Sequence, residues 1–183
     1  MRRIIPYFIL PFFLVCVSAC NNKSSKQEKK ETVTTDSVDS AGVQRMQESK
    51  NEQVVKMNGV SYHVSLHRIA NDTLPRVKTE AGEWFTDNTI HLQITRDNGN
   101  KVLSKTFTKK SFSSVVPDDF LSHSILEGMV FDRVTASGLN FAASVCYPQT
   151  DLYFPIRITI KSNGTISMAK EELMEDTYPE DKD

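Results

Sequence analysis

Thiols and imidazoles are the side chains of this 183-residue sequence best suited to nucleophilic, acid–base or metal chemistry, and it carries three cysteines and four histidines. His63 and His67 share one face of an alternating stretch but stand four residues apart. At ~3.3 Å per residue that is about 13 Å, against zinc–imidazole bonds of ~2.0 Å. They cannot hold one ion together. His91, on a neighbouring strand, can face either, yet no cysteine or carboxylate sits at ligand spacing, so no metal is expected. The turn Asp97-Asn98-Gly99-Asn100 lacks the ligand ladder and closing glutamate of a calcium loop. Cys146 lies in an apolar strand near Ala142 and Ser144 and reads as a small buried hydrophobe. No Gly-x-Ser-x-Gly elbow, phosphate loop or dinucleotide fingerprint occurs. The carboxylate pairs Asp118-Asp119 and Glu171-Glu172 suit a helix start and a solvated tail, not two carboxyls facing across a cleft. No catalytic residue and no cofactor are therefore assigned.

Cys20 carries a different chemistry. Arg2 and Arg3 precede an apolar stretch from Ile4 to Ala19 that is broken by Pro6 and Pro11. A membrane-crossing helix needs ~20 apolar residues, whereas the apolar region of a signal peptide is shorter and ends in small residues. The tetrapeptide Val17-Ser18-Ala19-Cys20 resembles the bacterial lipobox. That resemblance implies cleavage between Ala19 and Cys20, diacylglycerol on the Cys20 thiol and usually a third acyl chain on the new amine. Only a thiolate is nucleophilic enough for thioether formation under mild conditions. One chain anchors marginally; two or three hold a protein on the membrane. The first expected partner is thus a membrane, through acyl chains on Cys20. Asn21, where aspartate would signal inner-membrane retention, points to the outer membrane. The lysine-rich run after it lacks the acidic cluster of a surface-export signal, so the periplasmic face is expected.

The formal net charge is -1, and loss of Arg2 and Arg3 with the leader leaves 20 basic against 23 acidic residues. Nothing there attracts nucleic acid. With Cys16 in the leader and Cys20 acylated, Cys146 has no partner for an internal disulfide. From residue 20 to 53 the chain is polar, charged and almost free of aromatics. Such a composition buries too little apolar surface to offset its ordering entropy, so a tether is expected. Asp36-Ser37-Val38, Asp39-Ser40-Ala41 and Asp72-Thr73-Leu74 resemble the Bacteroidetes O-glycosylation motif, which makes Ser37, Ser40 and Thr73 acceptor positions by that resemblance.

From Val54 the apolar period becomes two. Asn58-Gly59 separates alternating runs, a hairpin signal because both turn positions favour positive φ. Tyr62, Val64 and Leu66 share a face, as do Ile90, Leu92 and Ile94, and later Leu152, Phe154, Ile156, Ile158 and Ile160. Asn98-Gly99 and Asn163-Gly164 mark further turns. One segment departs from this pattern: Pro117-Asp118-Asp119 suits a helix start, with Phe120, Leu121, Ile125 and Leu126 at helical spacing. The expected fold is mainly β, a single antiparallel sandwich or barrel-like domain over residues 54–170 with one or two short helical turns. A leader (1–19), an acylated tether (20–53) and an acidic tail (171–183) flank it.

The stretches Lys105–Phe112, Ser124–Val134 and Leu139–Ile158 resemble an uncharacterised family of small Bacteroidetes lipoproteins, a domain of unknown function. The resemblance spans roughly Val54 to Lys170 and implies an envelope setting but no activity. Trp84, the only tryptophan, sits with Phe85 in a turn-rich stretch, and Lys109 and Lys110 can flank the same rim. Partly exposed loop aromatics make binding anchors, although core packing and a solvated lysine pair explain the four residues more plainly. The leading expectation is a non-catalytic envelope module that binds a protein, glycan or envelope component. A lipocalin-like barrel around an apolar ligand and a small hydrolase are the alternatives.

Overall fold

The computed structural model describes residues 37–171. Cys20, Ala19 and the rest of the leader lie outside the described residues, as do Asp36 and residues 172–183. Strands run in chain order as β1 (Ser37–Val38), β2 (Val43–Arg45), β3 (Ser49–Met57), β4 (Val60–Ala70), β5 (Val77–Lys78), β6 (Trp84–Phe85), β7 (Asn88–Arg96) and β8 (Lys101–Phe107). A 3-10 turn (Lys109–Phe112) and helix α1 (Asp118–His123) follow, then β9 (Ile125–Thr135), β10 (Gly138–Cys146), β11 (Tyr153–Ile160) and β12 (Ile166–Lys170).

Two antiparallel sheets, ordered β3-β4-β7-β8 and β12-β11-β10-β9, share one core. The period-two faces meet there. Tyr62, Val64 and Leu66 from β4 and Ile90, Leu92 and Ile94 from β7 pack with Leu139, Phe141 and Val145 from β10 and Ile156, Ile158 and Ile160 from β11. Burying each such large side chain stabilises by ~1.5–3 kcal/mol relative to exposure. Among the described residues the sheets keep free edges and do not close into a barrel. Phe107, Phe112 and Phe141, all at 0% exposure, fill the interior. Of the two expected forms the described residues adopt the open, sandwich one, and the closed barrel that a lipocalin-like cavity needs is absent among them.

A third, small sheet runs β1-β2-β6-β5, with β2 and β6 parallel. It corrects the expected tether for residues 37–53, which carry β1, β2 and the start of β3. Two physical causes operate. Asp39 Oδ1 accepts the backbone N–H of Ala41 and of Val43, tightening a turn that delivers Val43 into the interior. Further on, β3 pairs with β4 along its whole length, from Ser49↔Arg68 to Met57↔Val60. Ladder hydrogen bonds come from the backbone and satisfy it whatever the side chains are, so a polar edge strand escapes a composition argument.

The helical segment forms as expected at Pro117-Asp118-Asp119 but is shorter. Ser124 is extended (φ -108, ψ 163), and Ile125 and Leu126 enter the sheet opposite Cys146 and Val145. Their apolar spacing serves a strand. At the tail boundary, Glu171 belongs to the body: its N–H donates to the Pro155 carbonyl and its carboxylate pairs with Arg157.

The Asn-Gly pairs make two kinds of turn. Asn58 and Gly59 both have positive φ (52 and 77), giving the two-residue hairpin. At Asn98-Gly99 and Asn163-Gly164 only the glycine does (80 and 84). There the loop has three residues, with Arg96 N–H donating to the Asn100 carbonyl and Lys161 N–H to that of Thr165. These turns and the β9–β10 turn gather at one end of the sandwich, where Arg96 also donates to the Ser162 carbonyl. The small sheet, α1 and the 147–152 loop occupy the opposite end.

Gly138, at φ 147, holds the turn end together, since a Cβ there would lie 2.3 Å from the Ile160 carbonyl oxygen. Gly138→Ala is expected to cost more than about 1 kcal/mol, read as a lower urea midpoint with an unchanged slope.

Candidate binding groove

At the end opposite those turns, a groove of about 380 Å³ opens between three walls. The first is the β5–β6 turn, residues 78–81. Thr79 fixes it twice: its N–H donates to the Glu83 carbonyl and its Oγ1 accepts from Glu83 N–H, while Gly82 supplies the positive φ of 89. The second is the C-terminal end of α1, through His123. The third is the loop from Tyr147 to Leu152, closed by Tyr147 N–H donating to the Leu152 carbonyl and pinned to β2 by Gln149 Nε2 donating to Gln44 Oε1 at 3.1 Å. Tyr147 stacks on Phe120 with ring centres 4.6 Å apart, and His123 lies 5.9 Å from the same ring. The walls combine an aromatic face, the apolar Ala81, Pro148 and Leu152, the charged Lys78 and Glu80, and the His123 imidazole.

What sets α1 against the other walls is a polar cluster in the interior. Asp87, 1% exposed, accepts N–H from Asn88 and Leu126 at one carboxylate oxygen, each at 2.8 Å. Its other oxygen faces Lys109 Nζ at 3.6 Å. Lys109 Nζ also donates to the Ser124 carbonyl at 2.6 Å, and Asn88 Nδ2 to that of Leu126 at 2.8 Å. Burial pushes the Lys109 ammonium below its ordinary value, and the Asp87 charge pulls the other way. Helix α1 is thus tied at both flanks, at Lys109 before it and Ser124 after it.

These contacts divide the expected rim. Trp84 is 44% exposed, with Lys78 Nζ 5.6 Å from its ring centre. Phe85 turns inward against Val77, Ile125 and Cys146. Lys109 is buried in the ion pair, and Lys110 is exposed. Phe85 and Lys109 are therefore interior residues, because strand alternation points Trp84 and Phe85 to opposite faces and a buried carboxylate captures the lysine. Tyr147, Leu152 and His123 escaped the sequence reading as groove residues. So did Asp87-Asn88, although a polar pair opening the apolar β7 was a usable signal.

The histidines divide in the same way. His67 and His91 stand directly opposite each other on β4 and β7. Each has another partner: His67 Nε2 meets Glu48 at 2.5 Å, and the His91 nitrogens face Thr106 Oγ1 at 3.1 Å and Ser104 Oγ at 3.4 Å. His63 pairs with Asp97. Among the described residues, no group of three or more His, Cys, Asp or Glu side chains is arranged to hold a metal. His123 Nδ1 lies 2.8 Å from Ser122 Oγ. Ser122 Oγ donates to the Asp119 carbonyl, however, and Nδ1 sits 3.0 Å from that same acceptor. Cys146 is buried, and desolvation first, then the Glu127 carboxylate, push its thiol up to about 12.

The acceptor positions Ser37, Ser40 and Thr73 are exposed. Arg45 reaches both Asp39 and Asp72, which brings the segments carrying Ser40 and Thr73 into one patch.

Fold and groove together define a three-sheet β domain with a recess at one end. Residues 27–168 match the family described as a domain of unknown function, DUF4738, and the chain belongs to it. The match starts ahead of Ser37, in keeping with a body that begins upstream of Val54. No curated protein matches the sequence.

Asp87→Ala strands the Lys109 ammonium and the Leu126 N–H, and is expected to cost about 3–5 kcal/mol, measured by chemical denaturation. Cys146 is expected to stay unlabelled by maleimide at pH 8 in the folded chain and to react on unfolding. Because its folded value lies above the ordinary 9.0, the unfolded thiol ionises first. Its contribution to stability is complete below pH 9 and is lost as pH rises towards about 12.

Proposed function

We propose that this chain is a lipid-anchored envelope protein of the small Bacteroidetes lipoprotein kind, held by acyl chains on Cys20 at the periplasmic face of the outer membrane. Its β domain acts as a non-catalytic binding module for a protein, glycan or envelope component. The single observation carrying the binding role is the groove, which offers a stacking face, apolar contacts, the charged Lys78 and Glu80 and the His123 imidazole. Shallow, mostly apolar recesses with a few placed polar groups are the usual form of a binding site. Support for the anchor is the apolar leader ending in Val17-Ser18-Ala19-Cys20. Exposure of Ser37, Ser40 and Thr73 is compatible with glycan attachment there.

Two measurements test the reading. Intact-mass analysis of the mature protein is expected to show a chain starting at Cys20 with added acyl mass; a different start or an unmodified cysteine removes the anchor. A photo-crosslinking residue at Leu152 is expected to give a discrete adduct in intact cells, absent when the same residue replaces Lys56 on the exposed side of β3. Equal labelling at both positions would remove the binding role from the groove.

A further inference from the structure

Asn58-Gly59, Asn98-Gly99 and Asn163-Gly164 close turns at one end of the sandwich, and this dipeptide has a chemistry of its own. Asparagine is a thermolabile residue, because the backbone nitrogen that follows it can attack its side-chain carbonyl carbon. Glycine, having no Cβ, leaves that approach open. Asn58, Asn98 and Asn163 are all exposed, so access to water does not separate them. Hydrogen bonding does.

In the two three-residue loops both reacting groups are held. Gly99 N–H donates to the Arg96 carbonyl and Gly164 N–H to that of Lys161, each at 2.8 Å. The side-chain oxygen of Asn98 accepts the N–H of Asn100, and that of Asn163 the N–H of Thr165, each at 3.0 Å. Attack there must first free the nitrogen from one bond and turn the side-chain carbonyl out of another. The two-residue hairpin imposes neither condition. Its ladder ends at Met57↔Val60, leaving Asn58 and Gly59 beyond it. Among the described residues, neither the Gly59 N–H nor the Asn58 amide has a hydrogen-bond partner.

We propose that Asn58 is a site of spontaneous covalent modification, converted to aspartate and isoaspartate well ahead of Asn98 and Asn163. The Gly59 nitrogen bonds to Asn58 Cγ and gives up its proton to solvent. The Cγ–Nδ2 bond breaks, and the amide nitrogen leaves as ammonia. Water then opens the cyclic imide at either of its carbonyl carbons. Opening at Cγ gives aspartate; opening at the backbone carbonyl gives isoaspartate, whose main chain runs through Cβ and Cγ. Amide and water become carboxylic acid and ammonia, with no change of oxidation state. Either product places a negative charge in a recess of about 360 Å³ that Asn58 lines together with Ser137, Lys161 and Ser162. Isoaspartate also inserts a methylene into a turn that closes with two residues at φ 52 and 77, and so strains the β3–β4 hairpin.

The full chain would be aged in mildly alkaline buffer, folded and, in parallel, unfolded in urea, then digested and mapped by mass spectrometry. Isoaspartate would be read by enzymatic methylation of its carboxylate. Two hydrogen bonds of ordinary net strength correspond to about tenfold in rate. Expected is therefore ammonia loss about tenfold faster at Asn58 than at Asn98 or Asn163 in the folded chain, with the three rates drawing together in urea. Loss at Asn98 or Asn163 as fast as at Asn58 in the folded chain overturns the proposal. The same separation of rates in urea overturns it too, since the turns would then decide nothing.

Discussion

A carboxylate withdrawn from water must be given partners, and in this protein Asp87 draws them from segments far apart in the chain that meet at one end of the molecule. It takes the N–H of Leu126 at the start of β9 and faces the ammonium of Lys109, which follows β8. Its own carbonyl accepts from Asn71 in the loop after β4, while the neighbouring Thr86 N–H donates to Gln44 of β2. A buried ion pair adds little net stability over a well-packed apolar replacement, yet breaking half of one is expensive. Its effect is to make alternative placements of these segments costly. The chain between Lys109 and Ser124, including α1, is clamped at both ends, and the groove inherits that rigidity.

The two ends of the sandwich are built differently for this reason. One is closed by short hairpins whose geometry is local, set by Asn-Gly pairs and by Gly138 against Ile160. The other is closed by long connections that have no local rule and are held by side chains reaching across the chain: Asp87 to Leu126, Gln149 to Gln44, Tyr147 to Phe120. Loops fixed in this way on a rigid scaffold commonly carry binding sites, and the recess lies among them. Cys146, packed beneath with Val77, Phe85 and Ile125, serves as apolar filling.

Much of the sandwich was legible in the sequence. The alternation at Tyr62-Val64-Leu66, Ile90-Leu92-Ile94 and Ile156-Ile158-Ile160 marks the buried faces, because a strand turns successive side chains to opposite sides. The helix start at Pro117-Asp118-Asp119 was equally readable. The polar strands β1 and β2 and residues 49–53 of β3 were not, since their pairing is a backbone matter that composition does not register. Lys109 was misread as a rim residue because the carboxylate that buries it lies 22 positions earlier, and Phe85 because a two-residue strand is too short to display a period.

By itself, then, the sequence determined the strands, their inward faces, the glycine-dependent turns and the mainly β class, all of which follow from the stereochemistry of a few consecutive residues. Only the tertiary structure decided that the sheets of the described residues stay open, that residues 37–53 belong to the folded body, that Asp87 and Lys109 meet in the interior, and that Tyr147, Leu152 and His123 border one groove. Those outcomes depend on which distant segments come together, and a contact between residues far apart in the chain leaves no periodic trace in either of them.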